Sequence, residues 1–283
     1  LVPDPRNLDQ FCAEVTQRPP SVMAAVPALY QMLLAHEPFR ALDFSQLRLA
    51  LCGAAPFAES DIEKLSALIG PGKFCEVYGM TETSPLQTLN PANALKPGFA
   101  GIPLPGTDLR IVDTDDGTRQ MPIGEPGEII VAGPQVMKGY LNLPEASAHA
   151  LREHDGKIWM HTGDIGFIDE DGYVKVCDRS KDMLIVGGYK VFCVELDNKL
   201  LSLPEIAMCA VVGRADEKRP GNEVVQLFVQ PVVSAEDEQK LKGRITEFCR
   251  TNMAPYKVPK EIFIVDAIPL TSVGKIDKKA LRA

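Results

Sequence analysis

Between Leu47 and Gly79 the chain runs from an apolar strand through a helix into a second apolar strand, and this order most narrows what it can fold into. Leu47, Leu49 and Leu51 alternate along a stretch that ends at Gly53-Ala54-Ala55-Pro56. Ala58 to Leu68 has helical spacing, and Phe74 to Tyr78 is a second strand stopping at Gly79. Two strands joined through a helix imply a parallel-sheet layer. Ahead of it, Leu8, Phe11, Cys12 and Val15 recur at the spacing of one helix face. Ser21 to Val26 is a short apolar run, after which Pro27 opens a helix through Leu34.

From about Lys96 the texture changes. Pro97, Gly98, Gly101, Pro103, Pro105 and Gly106 punctuate short strands at Leu109 to Val112, Glu128 to Val131, Ile165 to Ile168 and Tyr173 to Val176. Asp169-Glu170-Asp171-Gly172 reads as a hairpin turn with glycine where a positive φ is needed, and its spacing lacks the twelve-residue ligand pattern of a calcium loop. Residues 96–179 thus form a small β-rich subdomain. Past Asp178 a second domain opens with a helix at Val194 to Leu203, then strands at Met208 to Val212 and Val224 to Val229. Ser234 with Asp237 resembles a capping box for a helix bearing Leu241, Ile245, Phe248 and Cys249 on one face, and Ile262 to Val265 is a last strand. The expectation is an α/β plus α+β chain. Its larger part, 1–179, combines a parallel-sheet layer with the β-rich subdomain, and 180–283 is a smaller α+β domain.

With 283 residues, about two domains are expected. A net charge of −8 disfavours a broad nucleic-acid surface. Seven scattered cysteines without a C-x-x-C spacing argue against a disulfide framework or zinc knuckle and suit a reducing cytoplasm. The longest uncharged run, Pro19 to Ala35, carries Pro27 and Gln31 and falls short of about 20 apolar residues, so it reads as core, not as a membrane span. Peripheral membrane contact remains open.

Several signatures are absent. No Gly-Lys pair is followed by the Ser/Thr of a phosphate-binding P-loop, no G-x-G-x-x-G opens a helix, and neither H-E-x-x-H nor G-x-S-x-G occurs. What remains is a set of loops at element ends. Glu76 to Ser84 follows a strand and offers an aromatic face, hydroxyls and a carboxylate within a few residues. Tyr78 can stack a flat heterocycle, Thr81 can hydrogen-bond a phosphate and Glu82 can hold Mg²⁺; the same residues also suit a polar turn after a core strand. His161-Thr162-Gly163-Asp164 reads as a tight turn whose ionised carboxylate can accept both hydroxyls of a ribose. Thr271-Ser272-Val273-Gly274-Lys275 is a small-residue loop whose lysine suits an oxyanion, or equally a solvated surface.

Taken in order, these stretches resemble the adenylate-forming acyl-CoA synthetase superfamily. The resemblance rests on Gly53 to Pro56, Tyr78 to Glu82, Thr162 to Asp164, Asp178 to Asp182, Gly187 to Val191, Tyr256 to Pro259 and Gly274-Lys275. Val2 to Arg6 and Gly133 to Tyr140 look closest to bacterial long-chain fatty-acid–CoA ligases. The implied reaction joins a fatty acid to ATP as an acyl-adenylate, releasing diphosphate, and then passes the acyl group to coenzyme A with loss of AMP. By the resemblance, Gly53, Ala54, Ala55, Pro56, Tyr78 and Gly79 flank the adenine, Thr81 meets the α-phosphate, Glu82 carries Mg²⁺, and Asp164 and Arg179 hold the ribose. Lys275 would bridge the acyl carboxylate and the α-phosphate, where an ammonium favours the charge of the transition state. Lys181 would be the hinge of a swinging small domain, and Gly187 and Gly188 would admit the pantetheine arm. Ala25, Val26, Pro27, Gly53 and Met80 stand, by position, where acyl-pocket walls are expected.

Two departures matter. Cys193 stands where relatives often have proline. The Ser/Thr/Gly-rich loop with a lysine that cradles the β- and γ-phosphates in the superfamily is missing, so the chain reads as the second half of a synthetase that by itself forms no acyl-adenylate and that self-associates through uncovered apolar surface. Two other readings stay open: an acyl-adenylate ligase that charges a carrier protein, and a non-catalytic nucleotide-binding or interaction module.

Overall fold

The computed structural model describes residues 4–55, 57–91, 93–232, 237–271 and 276–282. It divides into two compact units, Leu1–Val176 and Cys177–Ala283. Pro56, Ser234, Lys275 and the rest of the Ser272 to Lys275 loop lie outside the described residues.

In the first unit, α1 (Leu8–Gln17) starts at Asn7, whose side chain accepts a hydrogen bond from the Gln10 amide, and buries Phe11, Cys12 and Val15. Strand β1 (Val22–Ala25) leads into α2 (Pro27–Ala35), which opens on its proline, and a short α3 (Glu37–Arg40). Strand β2 (Leu49–Cys52), helix α4 (Glu59–Ile69) and strand β3 (Phe74–Tyr78) complete the crossover read from the sequence. Strands β1, β2 and β3 pair in parallel, with Ala25 opposite Cys52 and Cys52 opposite Glu76. Two short antiparallel strands, β4 (Thr88–Leu89) and β5 (Ile102–Pro103), extend the same sheet. The burial phase of β2 differs from the leucine alternation: Ala50 and Cys52 are fully buried, whereas Leu49 and Leu51 are only half-buried. In a parallel layer the crossover helices cover the sheet faces, and in β2 the small residues Ala50 and Cys52 take the more tightly covered one. Phe11, Tyr30, Phe39, Phe57 and Phe74 anchor the core of this layer, and each fully buried large side chain there is worth about 1.5–3 kcal/mol.

A second antiparallel sheet contains β6 (Asp108–Val112), β7 (Gly127–Ala132), β9 (Lys157–Ile168) and β10 (Val174–Arg179), in the order β10-β9-β7-β6, with β10 running past the end of the first unit at Val176. Helix α5 (Pro144–Ala150) precedes β8 (Leu151–His154), which pairs with the start of β9. Apolar clusters form on both sides of β7. Ile111, Ile129, Val131 and Val174 group together, and Val112, Ile130, Ala132 and Trp159 form another cluster. That explains an unbroken apolar run from Ile129 to Ala132 in place of a strict alternation. The Asp169 to Gly172 hairpin turn forms as expected, with the Gly172 amide donating to the Asp169 carbonyl at 3.0 Å and φ +83° at the glycine.

In the second unit, β11 (Leu184–Val186) and β12 (Tyr189–Val191) form a tight hairpin. Helix α6 (Cys193–Leu200) packs on β13 (Ile206–Ala215), which pairs antiparallel with β14 (Glu223–Pro231). Helix α7 (Glu238–Asn252) is capped by the Asp237 carboxylate, and β15 (Glu261–Ile264) joins β14 in parallel. A last short helix, α8 (Lys278–Leu281), ends the described chain. Leu196, Val211, Leu227, Ile245 and Cys249 share one core. The α/β-plus-α+β architecture is as the sequence implied. The cap of α7 is Asp237, and the Ser234 half of the expected capping box is among the residues not described.

Candidate functional site

Because β2 and β3 are adjacent and parallel, the loops that follow them emerge side by side at the carboxyl edge of the sheet, where open α/β sheets place ligands. Gly53 is where they touch: a side-chain carbon there would lie 2.7 Å from Val77 Cγ2 and 2.8 Å from the Val77 carbonyl. Ala54 takes φ +74°, and Ala54 and Ala55 are exposed at the rim. Gly79 is just as constrained, since a Cβ would fall 1.9 Å from the Pro85 carbonyl oxygen. Thr81 is exposed, and Thr81–Thr83 form a single 3-10 turn after the strand.

The Thr162-Gly163-Asp164 segment is not the free-standing tight turn expected from the sequence. It lies inside β9, at an irregularity in its pairing with β7. Glu128 faces Ile165 and Ile130 faces His161, so Thr162, Gly163 and Asp164 together oppose Ile129 alone. The surplus residues bulge out of the ladder, and Gly163 supplies the positive φ of +70° that the bulge needs. Thr162 Oγ1 donates to the Ile129 carbonyl at 2.7 Å and accepts from the Asp164 amide at 3.1 Å. Glu128 accepts from the Gly163 amide at 3.0 Å with Oε1, while its Oε2 stands 2.9 Å from His161 Nδ1. Burial alone would raise the Glu128 carboxyl; the His161 ring, the Gly163 amide and the Arg152 charge outweigh it and hold the group below the usual carboxylate range.

The bulge delivers Asp164 to the end of β3. The Tyr78 hydroxyl donates to Asp164 Oδ2 at 2.7 Å across 86 residues of sequence. Burial and the Asp164 charge push the Tyr78 phenol well above its ordinary range, against smaller opposing effects of the Thr162 and Gln87 side chains. Tyr78 is therefore a permanent donor at neutral pH, and its ring face is separate from the hydroxyl that binds Asp164. Asp164 itself is buried, and a carboxylate has lone pairs enough for further donors. Gln87, also fully buried nearby in sequence, has neither carboxamide atom hydrogen-bonded among the described residues.

Glu82 is half-buried, its carbonyl accepting from the Met137 amide at 2.8 Å and its Oε1 accepting from the Tyr140 hydroxyl at 2.8 Å. A single carboxylate with its other oxygen unengaged by Tyr140 suits Mg²⁺, which is commonly held by one or two carboxylates together with substrate phosphates. Among the described residues no group of three or more acidic, His or Cys side chains is placed to hold a metal by itself.

In the second unit, Arg179 ends β10 and Lys181 sits exposed in the turn after it. Gly187 and Gly188, at φ +60° and +83°, form the tip of the β11–β12 hairpin, and a side-chain carbon at either would meet nothing within 4 Å. The structure thus brings Gly53, Ala54, Ala55, Tyr78, Gly79, Thr81, Glu82 and Asp164 onto one unit. Arg179, Lys181, Gly187 and Gly188 belong to the other, and Pro56 and Lys275 lie outside the described residues. Sequence reasoning gave no role to Glu128 or Tyr140. The signal for Glu128 was a lone carboxylate at the head of an apolar strand; Tyr140 had none beyond its place in a motif.

The sequence profile of AMP-binding enzymes matches residues 1–141, and that of the AMP-binding enzyme C-terminal domain matches 195–275. The chain belongs to the AMP-binding enzyme family. This family member is 34% identical over all 283 residues to a long-chain-fatty-acid–CoA ligase of Escherichia coli O6:H1, covering 48% of that protein. It is 40% identical over 272 residues, 95% of the chain, to a feruloyl-CoA synthase of an Amycolatopsis species, covering 52% of it. Among solved structures, ATP-bound MatB from Rhodopseudomonas palustris superposes with a TM-score of 0.85 at 32% identity, covering 99% of the chain and 52% of MatB. The chain therefore spans about half the length of the relatives it matches. No helix among the described residues is long and apolar enough to cross a membrane.

Proposed function

We propose that this chain carries the nucleotide- and thiol-handling portion of an ATP-dependent acid–CoA ligase that works through an acyl-adenylate. The observation that carries the reading is the hydrogen bond from Tyr78 to Asp164. Two stretches that the family resemblance assigns to one mononucleotide meet at hydrogen-bond distance, one bearing an aromatic residue and the other a buried carboxylate. In this reading Gly53 to Pro56 and the Tyr78 ring flank adenine, Asp164 and Arg179 take the ribose hydroxyls, and Thr81 meets the α-phosphate. Glu82 would hold Mg²⁺, which when bound neutralises phosphate charge. Lys275 would neutralise charge as the carboxylate attacks the α-phosphate; the attacking acid needs no base, being ionised at neutral pH. Lys181 would be the hinge that exchanges the Lys275 loop for the open Gly187-Gly188 hairpin, where a thiol arm can approach the backbone.

The acid is proposed to be a fatty acid, on the match to the long-chain ligases along the whole chain. A second reading, an aromatic hydroxycinnamate-type acid, is favoured by the higher identity to the feruloyl-CoA synthase. Titration of the 283-residue chain with AMP tests the nucleotide site: binding is expected, and Asp164→Ala should reduce it at least tenfold. Binding that Asp164→Ala leaves untouched would remove the assignment. Non-hydrolysable acyl-adenylate mimics bearing fatty chains of graded length or a feruloyl group then decide the acid, the tighter series naming it.

A further inference from the structure

We infer that Glu128 is the positioning residue of Asp164, acting through the bulge and never touching the nucleotide; the inference rests on the reading that Asp164 takes the ribose hydroxyls. Thr162, Gly163 and Asp164 stand against Ile129 alone, so two of the three are surplus and have no ladder partner to fix them. At their centre Gly163 has a left-handed backbone, and a Cβ there would meet nothing within 4 Å, so packing does not hold it. What holds the bulge is chemistry from β7. The Glu128 carboxylate spans Thr162, with one oxygen on the Gly163 amide before Asp164 and the other on the His161 ring before Thr162. The Thr162 hydroxyl ties the bulge to the neighbouring Ile129 carbonyl and passes the constraint on by accepting from the Asp164 amide.

The electrostatics agree with a clamp that is permanently set. Side-chain exposure is 15% for Glu128 and 3% for His161. An ionised Glu128 requires the proton on His161 Nδ1. The buried Nε2 has no partner among the described residues, which suits a bare lone pair better than an unpaired donor. Without the carboxylate, a Gly163 amide and an imidazole N–H would be left in a largely buried place, and the bulge would be free to rotate about Gly163. Asp164 would then sample orientations away from the Tyr78 hydroxyl, and a displacement of about 1 Å is enough to cost a positioned group most of its effect. A carboxylate that merely filled a polar gap would stabilise the sheet without caring what the nucleotide carries on its ribose.

The distinction can be read with two ligands on the intact 283-residue chain, AMP and 2′,3′-dideoxy-AMP, which lacks the hydroxyls Asp164 would accept. Glu128→Met, similar in volume but without acceptors, should weaken AMP about tenfold and leave the dideoxy ligand within about twofold. Asp164→Ala should show the same pattern, and the double variant should add nothing to it. Glu128→Gln keeps an oxygen for the Gly163 amide but turns a second donor toward the Nδ1 proton of His161, so it should recover only part of the loss, leaving AMP binding about threefold weaker than in the parent. Should Glu128→Met fail to fold by circular dichroism, Glu128→Asp decides, since its shorter carboxylate cannot span both partners and must weaken AMP alone. Equal loss for the two ligands, or no loss for either while Asp164→Ala discriminates, overturns the positioning role by itself. If Asp164→Ala does not discriminate between them, the ribose assignment fails first and takes this inference with it.

Discussion

Lys278→Met should destabilise the second unit by about 3–5 kcal/mol at pH 7, and by clearly less at pH 5. Lys278 opens α8, and its ammonium lies 3.1 Å from Asp197 Oδ2, with side-chain exposures of only 15% and 12%. Asp197 sits on α6 and also accepts from the Val211 amide at 2.6 Å. Burial pushes its carboxyl from 3.8 up to about 6, even though Lys278 and the Val211 hydrogen bond pull it down. That shift alone corresponds to about 3 kcal/mol against the charged form at neutral pH. Removing the ammonium leaves the charge unopposed, and breaking a buried pair from one side costs about 3–5 kcal/mol. The sign follows from the raised acid: a carboxyl whose folded pKa exceeds its unfolded value weakens the fold above the folded pKa and ceases to do so as pH falls through it toward 3.8. Below about pH 6 Asp197 is neutral in both proteins, so the deficit narrows. With a urea slope of about 1.5–2 kcal/mol per molar for a unit of this size, the midpoint should drop by about 2 M at pH 7. Far-ultraviolet circular dichroism follows the transition. The single tryptophan, Trp159, lies in the first unit and should report an unchanged transition there. Adding Asp197→Asn should recover most of the loss. An equal loss at both pH values, or a change below about 0.5 kcal/mol at pH 7, would refute the reasoning.

Native-state thiol titration at pH 8 should release no more than one equivalent, from half-buried Cys177, against seven in guanidinium: the other six cysteines are buried and their thiols are pushed upward mainly by desolvation. Two or more fast equivalents would mean the cores open readily. Gly79→Ala places a methyl 1.9 Å from the Pro85 carbonyl and 2.7 Å from Leu86 Cα, both backbone atoms that cannot yield, so it should cost more than about 3 kcal/mol in a melt followed by Trp159 fluorescence. Tyr140→Phe frees Glu82 from its phenolic donor and should weaken the Mg²⁺-dependent part of ATP binding about tenfold while leaving metal-free AMP binding alone. An unaltered magnesium response would show that Tyr140 only packs.

Periodicity located the long elements well. Phe74 to Tyr78 is the strand the sequence describes, and Pro27 and the Leu8 to Val15 face open and define their helices because local signals and core burial agree there. The short pieces were not legible: β8, β11 and β12 run to three or four residues, too few to show a period, and exist because a neighbouring strand accepts them. The candidate site was legible as residue types but not as architecture. Tyr78 and Asp164 could be named from residue types and their order, yet the seating of Asp164 in a strand bulge depends on how β9 registers against β7, a pairing 33 to 37 residues apart at Glu128. No local pattern encodes that register. Glu128 is hidden for the same reason, since its partners are set by the register rather than by adjacent sequence.

The arithmetic of that register has one more consequence. Across the irregularity the paired positions slip by two residues, from Glu128 with Ile165 to Ile130 with His161. A pleat repeats every two residues, so an even slip leaves the inward and outward faces of β9 unchanged on either side. Excising two residues from Thr162 to Asp164 should therefore leave a straight, stable ladder that has lost its carboxylate, whereas excising one would turn half the strand inside out. The sheet carries its polar group as an insert in even count, separable from the scaffold that displays it.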